Sequence, residues 1–409
     1  MNRSSALSTL TVWVLLSLAL LVLRMTEFSV SGASLHVDEA QYWVWSNDMQ
    51  WGYFTKPPVL VALIKASTSL FGHSLLAVKA SAMLCWILSS WVLGWLAYRM
   101  YGTRSALLAG SLLAATPISG LLGLSVTTDA PLTLFWALCM ATLWEAAHAQ
   151  GKSAMLWWLA CGLSLGLAIL SKYSALALGL SALWLLWAAP AEQRRPILIG
   201  GTWAIAVAML VLAPHLAWNM ANHWPTAHHT MDITLHETGS TVAGGAGGWR
   251  RMLASGMEFF FGQILILGPA IWVLATKLWR RPNVQSITQT PHARWSVHTY
   301  AAAFSAPILI LGIAQALNAK ALINWSVPMV LGVCLWVACV LAQRVSWQRW
   351  AMACLSGLVL SGAIAVGGDL KQWVGVQTQP GQSKWDIWGR MRGWHETLQT
   401  LQPQLAPYA

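Results

Sequence analysis

The chain has 409 residues, of which 57% are hydrophobic and 9% are charged, where an ordinary soluble domain carries about 25% charged residues. With a mean hydropathy of +0.56, this excludes a soluble globular protein and reads as one all-α, polytopic membrane domain whose backbone polar groups are satisfied within helices. The net charge of +11 is spread in ones and twos between apolar runs, so orientation in a membrane, not nucleic-acid binding, accounts for it.

Apolar stretches long enough to cross ~30 Å of hydrocarbon run over residues 4–23, 80–98, 105–128, 130–148, 153–171, 173–191, 196–214, 259–276, 295–319, 321–343 and 350–368. Their number predicts about eleven transmembrane helices. With Arg3 in the cytoplasm, the short inner loops hold Arg99, Arg104, Lys152, Arg194, Arg195, Lys277, Arg280, Arg281, Arg294, Arg344 and Arg349. Together with Arg3 these are twelve of the 24 basic residues, as the positive-inside rule requires. Eleven of the thirteen acidic residues fall on the opposite face. Carboxylates do not set topology, so their gathering there points to an extracytoplasmic active site. The first span is expected to be retained and not cleaved near Ser31-Gly32-Ala33.

This reading divides the chain into a transmembrane domain, residues 1–368, and a short outer tail, residues 369–409. The first outer loop, 24–79, is the richest in polar residues and is expected to carry the active site on interfacial helices. In the tail, Trp385 to Trp394 with Arg390 and Arg392 predicts an amphipathic helix on the membrane surface. The cysteines Cys85, Cys139, Cys161, Cys334, Cys339 and Cys354 lie in apolar runs without metal-ligand spacing and read as packing residues.

The first outer loop contains His36-Val37-Asp38-Glu39-Ala40-Gln41-Tyr42 and then Gly52-Tyr53-Phe54-Thr55-Lys56-Pro57-Pro58. Two adjacent carboxylates followed by a lysine that Pro-Pro holds extended suggest a built site; a solvated loop is the alternative. Thr128-Asp129-Ala130-Pro131 puts a lone carboxylate between two long apolar helices, as a helix cap, a catalytic group or both. Lys172-Tyr173 forms the outer turn of a helical hairpin.

These blocks resemble the membrane glycosyltransferases of the C-type (GT-C) fold that use lipid-linked sugars, in the bacterial branch of lipid A aminoarabinose transferases and relatives of protein O-mannosyltransferases. The resemblance rests on Asp38-Glu39-Ala40-x-Tyr42, Gly52-Tyr53-Phe54-x-Lys56-Pro57-Pro58, Phe71-Gly72, Thr128-Asp129-Ala130-Pro131, Ser171-Lys172-Tyr173, Trp218-Asn219 and Asn324-Trp325, in order over residues 10–340. It implies a polyprenyl-phosphate sugar donor, a glycolipid, glycan or protein acceptor, and displacement at the anomeric carbon with inversion. Such a step needs a base for the acceptor and cations for the departing phosphate.

On this resemblance Asp38 is expected as the base, Glu39 as a catalytic neighbour that orients it, and Asp129 as a support that binds acceptor or cation. Lys56 is the first choice for the phosphate, followed by Lys172, Arg250, Arg251 and Lys320. Tyr42, Tyr53, Tyr173, Asn219, Asn324 and Trp325 are expected in substrate binding. Spacing alone leaves open a divalent cation between Asp38 and Asp129. Gln41 departs from those family members that carry Arg three residues after the catalytic Asp, so a phosphate contact is absent or supplied elsewhere. The histidines His215, His223, His228 and His229 suit hydrogen bonding to a sugar or headgroup better than zinc, because adjacent histidines point apart. The glycine-rich stretch 239–248 reads as a loop, with a lid over the lipid site as a lesser alternative. The rival reading is a secondary transporter or flippase. Transporters place ionisable or unwound segments near the bilayer midplane, often in related halves, whereas here the acids gather at helix ends and the Asp38 block occurs once.

Overall fold

The protein is described from a computed structural model over residues 3–233, 248–268, 271–272, 274, 294–318, 321–342, 344–367, 375–376, 386 and 388–405. Among these residues it is helical. Its first half runs α1 (Arg3–Ser31), α2 (Val37–Trp45), α3 (Val59–Phe71), α4 (Leu75–Tyr101), α5 (Thr103–Ala114), α6 (Pro117–Gly123), α7 (Asp129–His148) and α8 (Gly151–Ser171). A 3₁₀ turn (Tyr173–Leu176) leads into α9 (Ala177–Ala188), followed by α10 (Ala191–Ala221), α11 (Pro225–Met231), α12 (Gly248–Leu267) and α13 (Val297–Asn318). A second turn (Ile323–Ser326) precedes α14 (Met329–Leu341), α15 (Trp347–Gly367), a third turn (Gly389–Met391) and α16 (Trp394–Leu405).

Helices overlie the expected apolar stretches, but several are too short to count as spans by length alone, so the number of about eleven is not reached among the described residues. Seven helices among the described residues are long and apolar enough to cross a membrane, or eight if α5 and α6, bent by 55°, make one span. The protein is a multi-pass membrane protein. The bend lies where the α5 ladder stops at Ala115; Thr116 caps α6 by accepting from Ser119 N–H, and Pro117 occupies its first turn, where a missing N–H costs nothing. α7 is the central helix: the side chains of Leu132, Trp136, Ala137, Met140 and Ala147 are buried, with α4 and α8 packed beside it. Five cysteines are buried and Cys354 is half-buried, all as free thiols.

The first span is longer than its apolar run. α1 continues to Ser31 and carries Arg24 and Glu27 into the protein, where they pair at 2.6 Å while Arg24 donates to Ser361 on α15 at 2.9 Å. Gly32 ends α1 in the left-handed region at φ 62°, open to glycine without strain, and the chain turns into the first outer loop. That loop holds two helices, α2 and α3. The segment from 386 to 394 is not the amphipathic helix expected from sequence. Its described residues make a 3₁₀ turn with Trp388 and Met391 buried, and the amphipathic helix starts at Trp394.

Candidate active site

The site grows from the first turn of α2. His36 is the N-cap: its Nδ1 accepts from Asp38 N–H at 3.3 Å, and Glu39 reaches back to accept from His36 N–H at 2.8 Å. This reciprocal capping satisfies two amides that a helix start leaves open. Neighbouring residues on a helix project about 100° apart, and the two carboxylates therefore have different fates. Glu39 is 2% exposed and accepts from Lys79 Nζ at 2.6 and 2.8 Å and from Val126 N–H. It is fully engaged as an anchor. Asp38, with its side chain 65% exposed, has the His36 ring 3.8 Å away and keeps its lone pairs available.

Asp129, at the start of α7, forms the second centre and is 2% exposed. One oxygen accepts from Lys172 Nζ at 2.8 Å and the other from Asn324 Nδ2 at 2.7 Å. The side chain does not cap α7; it joins α7 to the turn after α8 and to the turn before α14. Three blocks far apart in sequence thereby meet. Lys56 joins them: burial pushes its ammonium below the ordinary lysine value, the charge of Lys172 pushes the same way, and Asp38 and Asp129 pull it back up. Among the described residues Lys56 has no ion-pair partner. The Tyr42 phenol, buried on α2, is pushed above its ordinary value first by burial and then by Asp38, Asp129 and Glu39, and stays protonated as a donor. Two lysines, the exposed carboxylate of Asp38, the bound carboxylate of Asp129 and a phenol thus lie within one another's electrostatic reach.

A second layer holds the loop. Tyr53 stacks on Trp45 at 4.7 Å; its hydroxyl accepts from Gln50 N–H at 3.0 Å and donates to Asp48 O at 3.2 Å. That hydroxyl ties the loop to itself. Tyr173 meets His215 Nε2 at 2.6 Å, and His215 Nδ1 lies 2.7 Å from Trp51 O. Asn219 donates to the His215 carbonyl at 3.1 Å, and its buried Oδ1 has no hydrogen-bond partner among the described residues. Gly52 lies so close to α10 that a Cβ would stand 2.3 Å from the Trp218 ring and 2.9 Å from His215 Nδ1. Glycine here is a packing requirement.

Not every expected residue converges. Arg250 is exposed on α12 and stacks on Trp249 at 5.3 Å, away from the centre's hydrogen bonds among the described residues. Trp325 is half-buried beside Asn324, without a ring partner among the described residues. Lys320, the Arg251 side chain and nearly all of 239–248 lie outside the described residues. The divalent site between Asp38 and Asp129 does not fit the donors present. Both Asp129 oxygens already accept from an ammonium and an amide N–H, and no three His, Cys, Asp or Glu converge among the described residues. Sequence reasoning missed Lys79, placing it at the loop edge. Its signal was available: a lysine entering an apolar span needs a partner.

Comparison with known proteins defines the class. The family of dolichyl-phosphate-mannose-protein mannosyltransferases matches residues 55–218. The lipid A galacturonosyltransferase RgtD of Rhizobium johnstonii is 27% identical over 357 residues, covering 85% of this chain and 68% of that protein. An undecaprenyl phosphate-α-4-amino-4-deoxy-L-arabinose arabinosyl transferase of an Enterobacter species is 27% identical over 231 residues, covering 53% of this chain and 41% of its own. In fold, the crystal structure of ArnT from Cupriavidus metallidurans bound to undecaprenyl phosphate aligns with a TM-score of 0.69 at 20% identity, over 91% of this chain and 67% of that one. An oligosaccharyltransferase of Archaeoglobus fulgidus aligns at 0.53 and 15% identity, over 89% of this chain and 57% of that one. The chain is a membrane glycosyltransferase of the C-type fold. Its relatives include transferases named for lipid A and for undecaprenyl-phosphate sugars.

Proposed function

We propose that the protein transfers a sugar from a polyprenyl-phosphate donor to an acceptor of the bacterial envelope, with lipid A as the first acceptor to test. The observation that carries this reading is the charge gathered at the head of α7: Lys172 held by Asp129 at 2.8 Å, a buried Lys56 that feels Lys172, Asp38 and Asp129, and the exposed carboxylate of Asp38. Burial and the charge of Lys172 raise the cost of keeping Lys56 charged, a cost that a lipid phosphate relieves. The acceptor hydroxyl gives its proton to Asp38 as its oxygen attacks the anomeric carbon. The anomeric C–O bond to phosphate breaks with its electron pair on the phosphate oxygen, which Lys56 and the two remaining N–H groups of Lys172 neutralise. Attack opposite the leaving group inverts the anomeric centre.

Glu39 then serves as the anchor that aims Asp38, Asp129 as the post that aims Lys172, and Tyr42 and Asn324 as donors at the pocket edge. The transferase unit spans residues 1–368, in the inner membrane, with the N-terminus in the cytoplasm and the site in the periplasm. The test is transfer in proteoliposomes from undecaprenyl-phosphate-linked galacturonic acid and aminoarabinose to lipid A, followed by mass spectrometry. The expected result is glycosylated lipid A together with free undecaprenyl phosphate. Movement of the intact donor between leaflets without release of the phosphate would replace the reading by a flippase.

A further inference from the structure

The reaction outlined above leaves the segment from Asp386 to Trp394 without a task, yet its contacts are specific. Trp388 and Met391, 2% and 4% exposed, close a small core with Phe28, Ala33, Met83 and Leu124. The Trp388 indole N–H donates to Ile364 O on α15 at 3.3 Å. Arg392 donates through Nε at 2.9 Å and Nη2 at 2.6 Å to the carbonyl of Ser31, the last residue of α1. In return Ser34 N–H donates to Met391 O at 2.6 Å. The Asp386 carboxylate, 2% exposed, lies 3.7 Å from Arg392 Nη1 and accepts from Trp388 N–H at 3.1 Å, which sets the guanidinium in place.

These contacts press on the supports of Asp38. Ser34 lies four residues before Asp38 in sequence. Met83 lies one turn after Lys79, and Leu124 two residues before Val126; Lys79 and the Val126 amide are the groups that hold Glu39. The last carbonyl of a helix has no intrahelical donor and carries partial negative charge, so a guanidinium forked onto it fixes the direction in which the chain leaves the helix. From Ser31 the chain has only Gly32 to His36 in which to set the start of α2.

We propose that Asp386 and residues 388–394 form a strap that positions the Asp38-bearing helix, with Arg392 as its positioning residue. The proposal rests on the reading of Asp38 as the base. It is tested on the full chain in lipid nanodiscs with Arg392→Ala, Arg392→Lys and Trp388→Phe, which removes the indole N–H together with part of the buried ring while keeping an aromatic group. Arg392→Ala is expected to lower kcat by about tenfold with the donor KM within about twofold, the pattern of a group acting on the transition state. Arg392→Lys should recover most of this, because an ammonium still reaches the Ser31 carbonyl. Amide hydrogen exchange over residues 33–45 should rise by at least about fivefold in Arg392→Ala, as local opening becomes easier. Trp388→Phe should move both readouts the same way by a smaller factor, and it decides the matter if Arg392→Ala does not fold. Unchanged exchange over 33–45 would overturn the strap. Faster exchange with unchanged kcat would overturn its role in positioning Asp38. A wild-type chain that transfers no sugar would defeat the proposed reaction, while the exchange measurement would still decide whether the segment holds the loop.

Discussion

Lys79 and Glu39, forty residues apart in sequence, meet in a doubly hydrogen-bonded pair of 2.6 and 2.8 Å in which neither side chain is more than 2% exposed. The pair ties the site-bearing helix to the start of a transmembrane helix. Because each charge is buried, removing one partner strands the other, at a cost of about 3–5 kcal/mol. Glu39→Gln and Lys79→Met should each lower the thermal midpoint sharply, and the double variant should lose less than the sum of the two. Additive losses in a double-mutant cycle would mean the pair does not hold α2.

Asp38→Asn keeps size and the start of α2 but cannot accept the acceptor proton. The chemical step is expected to slow by at least ~10²-fold, with polyprenyl-phosphate binding retained. Single-turnover transfer and lipid binding, measured on the same preparation, check this. Near-normal transfer would remove Asp38 from the role of base.

Asp129→Asn should do more than an exchange of helix caps. The new amide turns an N–H₂ toward either Lys172 or Asn324, both donors, and the Lys172 charge loses its counterion. Turnover should fall at least about tenfold and stability by about 1–3 kcal/mol. The swap Asp129→Asn with Asn324→Asp, which restores one donor–acceptor contact and one negative charge, should recover part of the stability. No recovery in the swap would argue against the bridge.

Lys56 gives a pH signature. Burial and Lys172 lower its affinity for a proton, so the empty site loses this charge at a lower pH than an ordinary lysine does. Donor affinity should therefore hold on the acid side and decline as pH rises through that lowered value. Bound phosphate opposes the decline by favouring the charged form. Lys56→Arg, whose guanidinium stays charged, should flatten the alkaline limb while binding less well because its reach and shape differ. An identical limb in both proteins would assign the titration to another group.

Sidedness is open to direct measurement. Cysteines placed at Asn47 and Gln399, both exposed, should react with an impermeant maleimide in intact spheroplasts. Labelling of either only after lysis would put the site on the wrong face.

Much of this was legible in the amino-acid sequence because membrane spans and short motifs are local. Charge-free runs mark the helices, and Asp38, Lys56, Asp129, Lys172 and Asn324 stand out as polar residues at their ends. What they touch is not local. The resemblance separates Asp38 from Glu39, but their surroundings become visible only in the fold: α2 turns Glu39 inward onto Lys79 and leaves Asp38 exposed. Tyr53 and His215 also hold the loop, a role the sequence did not suggest because their partners, Asp48 O and Trp51 O, are backbone atoms that no motif displays. Arg392 read as part of a surface helix because its partner, the Ser31 carbonyl, is 361 residues away.

The six free cysteines, buried or half-buried, give the chain an unusual neutrality. Thiol chemistry requires an accessible thiolate, and the apolar runs around these side chains keep water-borne reagents away. The wild-type chain should therefore behave toward impermeant maleimides as though it had no cysteine, giving a silent background for the two tags. No disulfide links these thiols, so the folded state owes nothing to the redox poise on either side of the membrane.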